Sequence, residues 1–501
     1  MDEKVLRYNG YDVIATFLCS PYLMQELEQC GNEHTYSFTM ELMEPVMFMQ
    51  TRGILVDRAA LERERAKVRE EMDTVLQELH ERVGWELNPL SSKQCQQYFY
   101  GELGIPPYTT YDKGTGKSRV SMDDEALTRI ARGTASRRPV YEAELVQRYR
   151  RLSKILGTYL EIEIDRDGRM RCSYNLRGNK FGRLSSSKTV YGTGMNMQNL
   201  PDEFKRFLVP DPGYLMVEID KARAEWVVVA YASGDANMIK VLEEGLDPHA
   251  YTAHLMTGLP IDLIKREDKL IGHTTDPGEI ARLREQLPEL KKARFLTGNM
   301  SLRQAGKKAN HGLNYGEKAR MFALTNRIRE VEAKRIVDAY HEAYPGIRQW
   351  WERIKTQLRE TRTLQNPFGR RYRFLMEWGE DLFKAAYSFV PQSTVADLVN
   401  TGIIRTYKDP ECKPVELLAQ VHDSVLFQVP AGLGPPGIVR IIQRVCEHLN
   451  PTLELNGRTF QIENEVKVSA QSWGEMHGAD LSNLEDSIRE HVREASRRLG
   501  D

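Results

Sequence analysis

Leu61, Val68, Met72, Val75, Leu79 and Val83 recur at three-, four- and seven-residue intervals. On a helix they fall in one apolar stripe, with the charged residues between them turned to water. Asp57 precedes this helix as its N-cap, and Asn88-Pro89 is the predicted break. Helical patterns are also predicted over 11–29, ending near Gly31, and over 139–161, where Arg148, Arg150, Arg151 and Lys154 lie. The segment YDKGTGKSR (111–119) between them reads as a mobile loop. At residues 214–220 (YLMVEID) the period changes: Leu215, Val217 and Ile219 alternate with other residues, as in a strand with one buried face. Residues 222–257 return to helix, broken around Gly234-Asp235 and Gly245, and the highly charged stretch 262–295 reads as an exposed, solvated excursion. Helix is expected again from about Ser301 to Tyr315 and through 330–361. Residues 417–421 and 424–429 are apolar runs separated only by His422-Asp423, a hairpin signature. Leu481, Leu484, Ile488, Val492, Ala495 and Leu499 form a last amphipathic stripe, for which docking on its own domain is the default. The class is α+β, with helices before and between strands.

Composition narrows this only a little. A chain of 501 residues with 41% apolar and 28% charged residues has the balance of a globular enzyme with more than one substructure. No stretch approaches the roughly 18–20 apolar residues that cross a bilayer. The opening MDEKVLRYNG lacks a secretory apolar region, so a cytoplasmic protein without a membrane partner is expected. Six scattered cysteines without a C-x-x-C pair read as reduced thiols and argue against a cysteine-rich metal site. The net charge of −1 means that a polyanionic partner would be met by a local basic face.

Two constellations carry chemistry. Asp220 ends a hydrophobic strand and Asp423 sits in the tight turn of the hairpin. Carboxylates held at strand ends can grip two hard divalent cations, one activating a hydroxyl nucleophile and one neutralising a leaving pyrophosphate. Taken singly, each aspartate would more often merely cap its strand or turn. His-Asp is, however, a poor choice for a turn that favours positive φ, which points to strain kept for function. In LRQAGKKANHGLNYG, Arg303, Lys307, His311 and Tyr315 recur every four residues. They make one stripe roughly 18 Å long, basic at one end and ring-bearing at the other. A nucleoside triphosphate has the same polarity, although a basic surface stripe with two packed rings would leave the same pattern. Gly312 and Gly316 leave room for close approach of a nucleotide or backbone.

These segments resemble the bacterial DNA polymerase I family (family A), its phage members in particular, over nearly the whole chain. The resemblance lies in GRLSSS (182–187) with NMQNLP (196–201), DKARAEW (220–226), R-x3-K-x3-H-x3-YG (303–316), QVHDS (420–424) and, in the thumb, NPLSSKQ (88–94). It implies a right-hand fold built on an antiparallel palm sheet. Residues 1–50 would be a remnant of exonuclease-domain helices and 51–165 the thumb. The palm would comprise 166–234 and 351–478, the fingers 235–350 with a charged insertion at about 262–295, and a C-terminal helix 479–501. The implied reaction is template-directed extension of a primer with dNTPs, using two Mg²⁺ ions, or Mn²⁺. Asp220, Asp423 and the Lys221 carbonyl would hold the metals. Arg303, Lys307, His249 and Arg223 would meet the triphosphate, with Lys307 also acting in catalysis. Glu225 would exclude a 2′-hydroxyl, and His311 and Tyr315 would lie at the sugar and base. Arg183, Gln198, Asn199, Lys384, Gln392, His422 and Gly316 would contact DNA.

Departures from the family pattern matter as much. His311 replaces an aromatic residue, which would alter sugar discrimination. Ser424 stands where glutamate is usual, as in single-subunit RNA polymerases, so an RNA polymerase-like enzyme is the rival reading, beside an inactive primer-template binding protein. Lys221 and Arg223 could depress the pKa of Asp220 or could point into solvent. Tyr8 to Asp12 resembles the third motif of a proofreading exonuclease whose other motifs are missing, so no proofreading is expected in this chain, with a separate exonuclease or replisome subunits as conceivable partners. The charged stretch 262–295 would otherwise touch single-stranded template.

Overall fold

The computed structural model describes residues 3–112, 116–133, 137–272, 274–326 and 328–498. Its centre is a five-stranded antiparallel sheet of β1 (Tyr214–Lys221), β2 (Glu416–Val421), β3 (Ser424–Pro430), β4 (Asn464–Ser469) and β5 (His477–Ala479), in the order β2-β3-β1-β4-β5. The alternation read in β1 is met: Leu215, Val217 and Ile219 are buried and pair with Val429, Phe427 and Val425 of β3. Glu218 and Asp220 therefore share the opposite face, where Lys467 and Glu465 of β4 stand across from them.

The principal helices, in chain order, are α1 (Glu3–Cys30), α2 (Glu33–Arg52), α3 (Arg58–Val83), α4 (Tyr141–Ile155), α5 (Ala224–Ser233), α6 (Ala236–Glu243), α7 (Pro248–Thr257), α8 (Ile261–Ile271), α9 (Pro277–Arg284), α10 (Leu302–Gly312), α11 (Glu330–Ala343), α12 (Pro345–Thr361), α13 (Glu380–Lys408), α14 (Gly434–His448) and α15 (Leu484–Arg497). In α3, Leu61, Val68, Val75 and Leu79 are buried as the stripe requires, and the Asp57 carboxylate caps the Ala60 N–H at 2.9 Å. The helix stops at Gly84 (φ 82), ahead of Asn88-Pro89, because glycine takes the left-handed C-cap without strain. α3 packs on α4, where Arg150 donates to the carbonyls of Pro89 (2.7 Å) and Met122 (2.6 Å). The stretch expected to be a mobile loop instead carries a hairpin, 109–112 with 117–120, whose turn at 113–115 lies outside the described residues. α5, α6 and α7 break where Gly234-Asp235 and Gly245 predicted, and the Asp235 and Asp247 carboxylates cap the second and third of them.

Two further expectations change. The stretch 262–295 is not a solvated face throughout: Leu263, Ile264, Glu267 and Ile271 of α8 are buried, and Leu263 and Ile264 join Leu259, Leu290 and Leu302 in a separate small core. Lys265, Arg266, Arg282, Lys291, Lys292 and Arg294 remain exposed as expected. The last helix docks on its own domain, burying Leu484, Ile488, Val492 and Ala495 against α14 and the sheet, while Leu499 lies outside the described residues. No helix among the described residues is long and apolar enough to cross a membrane.

Candidate active site

Asp220 and Asp423 meet at one cleft although 203 positions separate them in sequence, because β1 and β3 are neighbours and the β2–β3 turn overhangs the end of β1. The cleft has a volume of about 360 Å³ and is also lined by Glu225, His249, His311, Tyr315, Asn310, Asn314 and Glu465. The turn is built as its sequence implied: Val421 pairs with Ser424, and His422 adopts φ 54. Arg223, just beyond β1, has φ 54 as well. Each carboxylate thus has a non-glycine residue in the left-handed region close by, a conformation that costs energy unless the surroundings impose it.

Burial and the neighbouring Asp423 charge raise the Asp220 pKa to about 6, although its Oδ1 accepts the Lys221 N–H at 2.9 Å. Burial likewise raises Asp423, against the lowering effect of the Arg183 guanidinium. The Lys221 and Arg223 side chains are directed to other partners than Asp220. The Lys221 ammonium is buried and turned away, donating to Leu449 O (3.0 Å), Asn464 Oδ1 (2.7 Å) and Ile462 O. The exposed Arg223 pairs with Glu463 at 3.2 Å. Ser424 Oγ lies 3.2 Å from Glu218 Oε1, so this serine reaches a carboxylate on β1 instead of supplying one.

α10 supplies the second wall. Its helical turns end at Gly312, a 3₁₀ turn carries Tyr315, and Gly316 follows at φ 79. Gly316 is therefore required by its backbone angle, and an added Cβ at Gly312 would meet the Glu317 carboxylate at 2.1 Å. The glycine that decides the packing is Gly306, where a Cβ would lie 2.2 Å from the His249 carbonyl oxygen. That closeness lets α10 lie flat on α7 and brings Arg303, Lys307 and His311 alongside His249.

The Arg303 guanidinium is held by Asp247 (Nε–Oδ2 2.7 Å) and stands 3.6 Å from Asp268, while Lys307 is exposed. The His249 and His311 rings lie 6.2 Å apart. Burial lowers the His249 pKa to about 4, with Asp247 opposing and Arg303, His311 and Lys307 adding to the fall. Its ring is neutral near pH 7, and its Nδ1 accepts from Asn310 Nδ2 at 3.1 Å, which leaves the proton on Nε2. The Glu225 carboxylate joins two elements, accepting the Tyr315 hydroxyl at 2.6 Å and pairing with Arg183. Burial beside this carboxylate pushes the Tyr315 pKa well up. Gln198 Nε2 donates to Gln420 Oε1 (3.2 Å), whose amide donates to the His422 carbonyl (2.6 Å), tying the 196–201 segment to the turn. Asn199 and Lys384 are exposed, and Gln392 lies half-buried on α13.

Asp247, Asn310, Asn314, Glu465 and Gly306 are among the site-forming residues that sequence reasoning missed. Only Asp247 left a signal, as the N-cap of the DPHA helix. Elsewhere, Asp409, Cys412 and His448 approach within 4.8 Å of one another, but the Asp409 carboxylate is occupied by Arg444 and His448, both at 2.7 Å.

The same architecture is found among known proteins. The sequence model of "DNA polymerase family A" matches residues 58–274 and 289–475. The thermostable DNA polymerase I of Thermus filiformis is 28% identical over 450 residues, covering 85% of this chain and 48% of the relative. DNA polymerase I of Treponema pallidum is 26% identical over 494 residues, covering 95% and 44%. The chain thus spans about half the length of the curated relatives it matches. Among solved structures, the POL domain of Pol1 from M. smegmatis, in complex with DNA primer-template and dNTP, aligns with a TM-score of 0.67 at 24% identity, covering 87% of this chain and 70% of that one. The likeness establishes the shared right-hand architecture of helices around an antiparallel sheet.

Proposed function

The chain belongs to DNA polymerase family A, and on that premise we propose that it extends the 3′-hydroxyl of a DNA primer with dNTPs on a template strand. The observation that carries the reading is the convergence on one cleft of the Asp220–Asp423 pair with His249, His311, Tyr315 and Glu225. The carboxylate pair shares its cleft with the ring-bearing end of the α10 stripe, which runs on through Lys307 to Arg303 as suits a triphosphate. In this reading residues 51–165 are the thumb, 166–234 and 351–478 the palm, and 235–350 the fingers. That the reaction serves DNA replication, in a phage setting, rests on the motif resemblance alone.

The donor set fits hard divalent cations. Two oxygen-only side chains are half-buried together, and burial, with the neighbouring Asp423 charge second, raises the pKa of Asp220. Asp220, Asp423 and the Lys221 carbonyl would hold Mg²⁺ or Mn²⁺, which supplies Lewis-acid chemistry for attack by the primer hydroxyl and departure of pyrophosphate. The remaining work falls to the protein's own groups. Arg303 and Lys307 neutralise the phosphates, with Arg303 exchanging its contact with Asp247 for the ligand. Neutral His249 offers its Nε2–H as a hydrogen-bond donor to a phosphate oxygen. The Glu225–Tyr315 pair forms a floor that leaves no room for a 2′-hydroxyl, and His311 packs on the sugar side. Arg183, Gln198, Asn199, Gln392, Lys384, His422 and Gly316 line the path of the duplex, and exposed thumb cations meet its phosphates.

Primer extension on a defined template with Mg²⁺, comparing dNTPs with NTPs, tests this reading. Strong template-matched dNTP extension is expected. Preference for NTPs would move the assignment to RNA synthesis, and tight primer-template binding without extension of either would leave a binding protein.

A further inference from the structure

Arg284 ends α9, which lies within residues 275–288, the gap between the two stretches that match the family. From there it reaches into the small core beneath the start of α10. Its guanidinium grips Glu267 Oε1 through Nε (2.9 Å) and Nη2 (2.6 Å) and donates to the carbonyls of Thr297 and Met300 (3.0 Å). Its side chain is 9% exposed, and that of Glu267 is 0% exposed. The other oxygen of Glu267 accepts the N–H of Leu302, the first residue of α10, at 2.9 Å. Asp268, next in the chain, accepts from the hydroxyl of Ser301, the N-cap of α10, and its second oxygen stands 3.6 Å from Arg303 Nη1.

A buried ion pair of this kind adds little net stability over apolar residues of the same volume, but it fixes orientation where its hydrogen bonds are all made. Here they converge on one place, the first turn of the helix that carries Arg303, Lys307 and His311. Negative charge at that end also suits the exposed N–H groups of a helix N-terminus.

We propose that the Arg284–Glu267 pair is a positioning device that fixes the first turn of α10 and, through Ser301 and Asp268, sets how Arg303 meets the phosphates of an incoming nucleotide. The proposal rests on the triphosphate reading of α10, and neither residue touches the nucleotide.

The test is Arg284→Lys, which keeps the charge but cannot make the forked contacts. The KM for dNTP is expected to rise about tenfold, the loss attached to a few charge-assisted hydrogen bonds. The kcat, the affinity for primer-template and the melting temperature should change much less. A purely structural role would lower the fraction of active enzyme, and hence kcat, without moving KM. Hydrogen exchange across residues 300–306, measured without substrates, reads the same device independently of activity. Exchange there is expected to be slow in the wild type and faster in the variant. Unchanged KM with unchanged exchange would overturn the proposal. So would rapid exchange at 300–306 in the wild type, which decides the matter if the variant fails to fold. A wild type that extends no primer would sink the polymerase reading, while the exchange result would still judge the clamp.

Discussion

Asp220 pays for its position. A carboxyl whose pKa is raised to about 6 in the folded protein favours the protonated state. Its contribution to stability is therefore complete below its ordinary pKa and is lost as pH rises from about 4 through 6. Without divalent ions at pH 8, Asp220→Asn should be more stable than wild type by roughly 1–3 kcal/mol, the free energy that matches a rise from 3.8 to about 6. Added Mg²⁺ should raise the wild-type melting temperature and leave the variant unmoved. Parallel thermal melts check both halves, and a less stable variant would refute the assignment of strain to this carboxylate. His311 invites a second substitution. Its ring stands 6.2 Å from that of His249, and if it packs on the sugar as proposed, His311→Phe should change the ratio of dideoxy- to deoxynucleotide incorporation on the order of tenfold. Competitive single-nucleotide insertion measures that ratio, and identical ratios would show the histidine to be only another flat ring. At this scale the sequence was informative wherever a residue broke a local rule. His422 in a tight turn announced positive φ and has it. The ammonium of Lys221 was not legible, because its acceptors, Leu449, Ile462 and Asn464, come from segments more than two hundred residues away.

Among the elements, α10 shows what periodicity reads and what it misses. The four-residue stripe located the helix and its basic face, yet its last member leaves the α-helix for a 3₁₀ turn and bonds to Glu225. The approach of α10 to α7 depends on Gly306, which carries no periodic signal because it stands in for missing volume. Gly306→Ala would place a methyl carbon against the His249 carbonyl oxygen, and backbone does not yield as a side chain can. A loss of about 1–3 kcal/mol is expected, together with a raised KM for dNTP. Urea unfolding and steady-state kinetics test these, and a fully stable variant with unchanged KM would contradict the packing argument. Charge density misled the reading of 262–295 for a related reason. Arg284 and Glu267 look like any other solvated charges until the fold brings them together.

Across the whole molecule, the sheet order places the two aspartates at one edge of a cleft and the charged helices around it. Much of this was legible from the ordered motifs at 182–201, 220–226, 303–316 and 420–424. The buried His341 was not, since nothing local marks it. His341 is 7% exposed against Trp351, and burial lowers its pKa to about 4, as for His249. A depressed histidine contributes stability above its ordinary pKa of 6.5, which is lost as pH falls toward 4. Wild type should lose on the order of 2 kcal/mol per ring over that interval. His341→Phe should retain its share, so that the stability difference between the two proteins shifts in favour of the variant as the medium becomes acidic. Denaturant titrations at pH 7 and pH 5 give that difference. Whether Asp220 and Asp423 together perform nucleotidyl transfer at this cleft is decided by single-nucleotide insertion with Asp220→Ala and Asp423→Ala. Primer-template affinity is measured on the same preparations. Insertion should fall at least about a thousandfold in each variant while DNA binding is kept. Insertion within about tenfold of wild type in either variant would contradict a shared catalytic role for the pair.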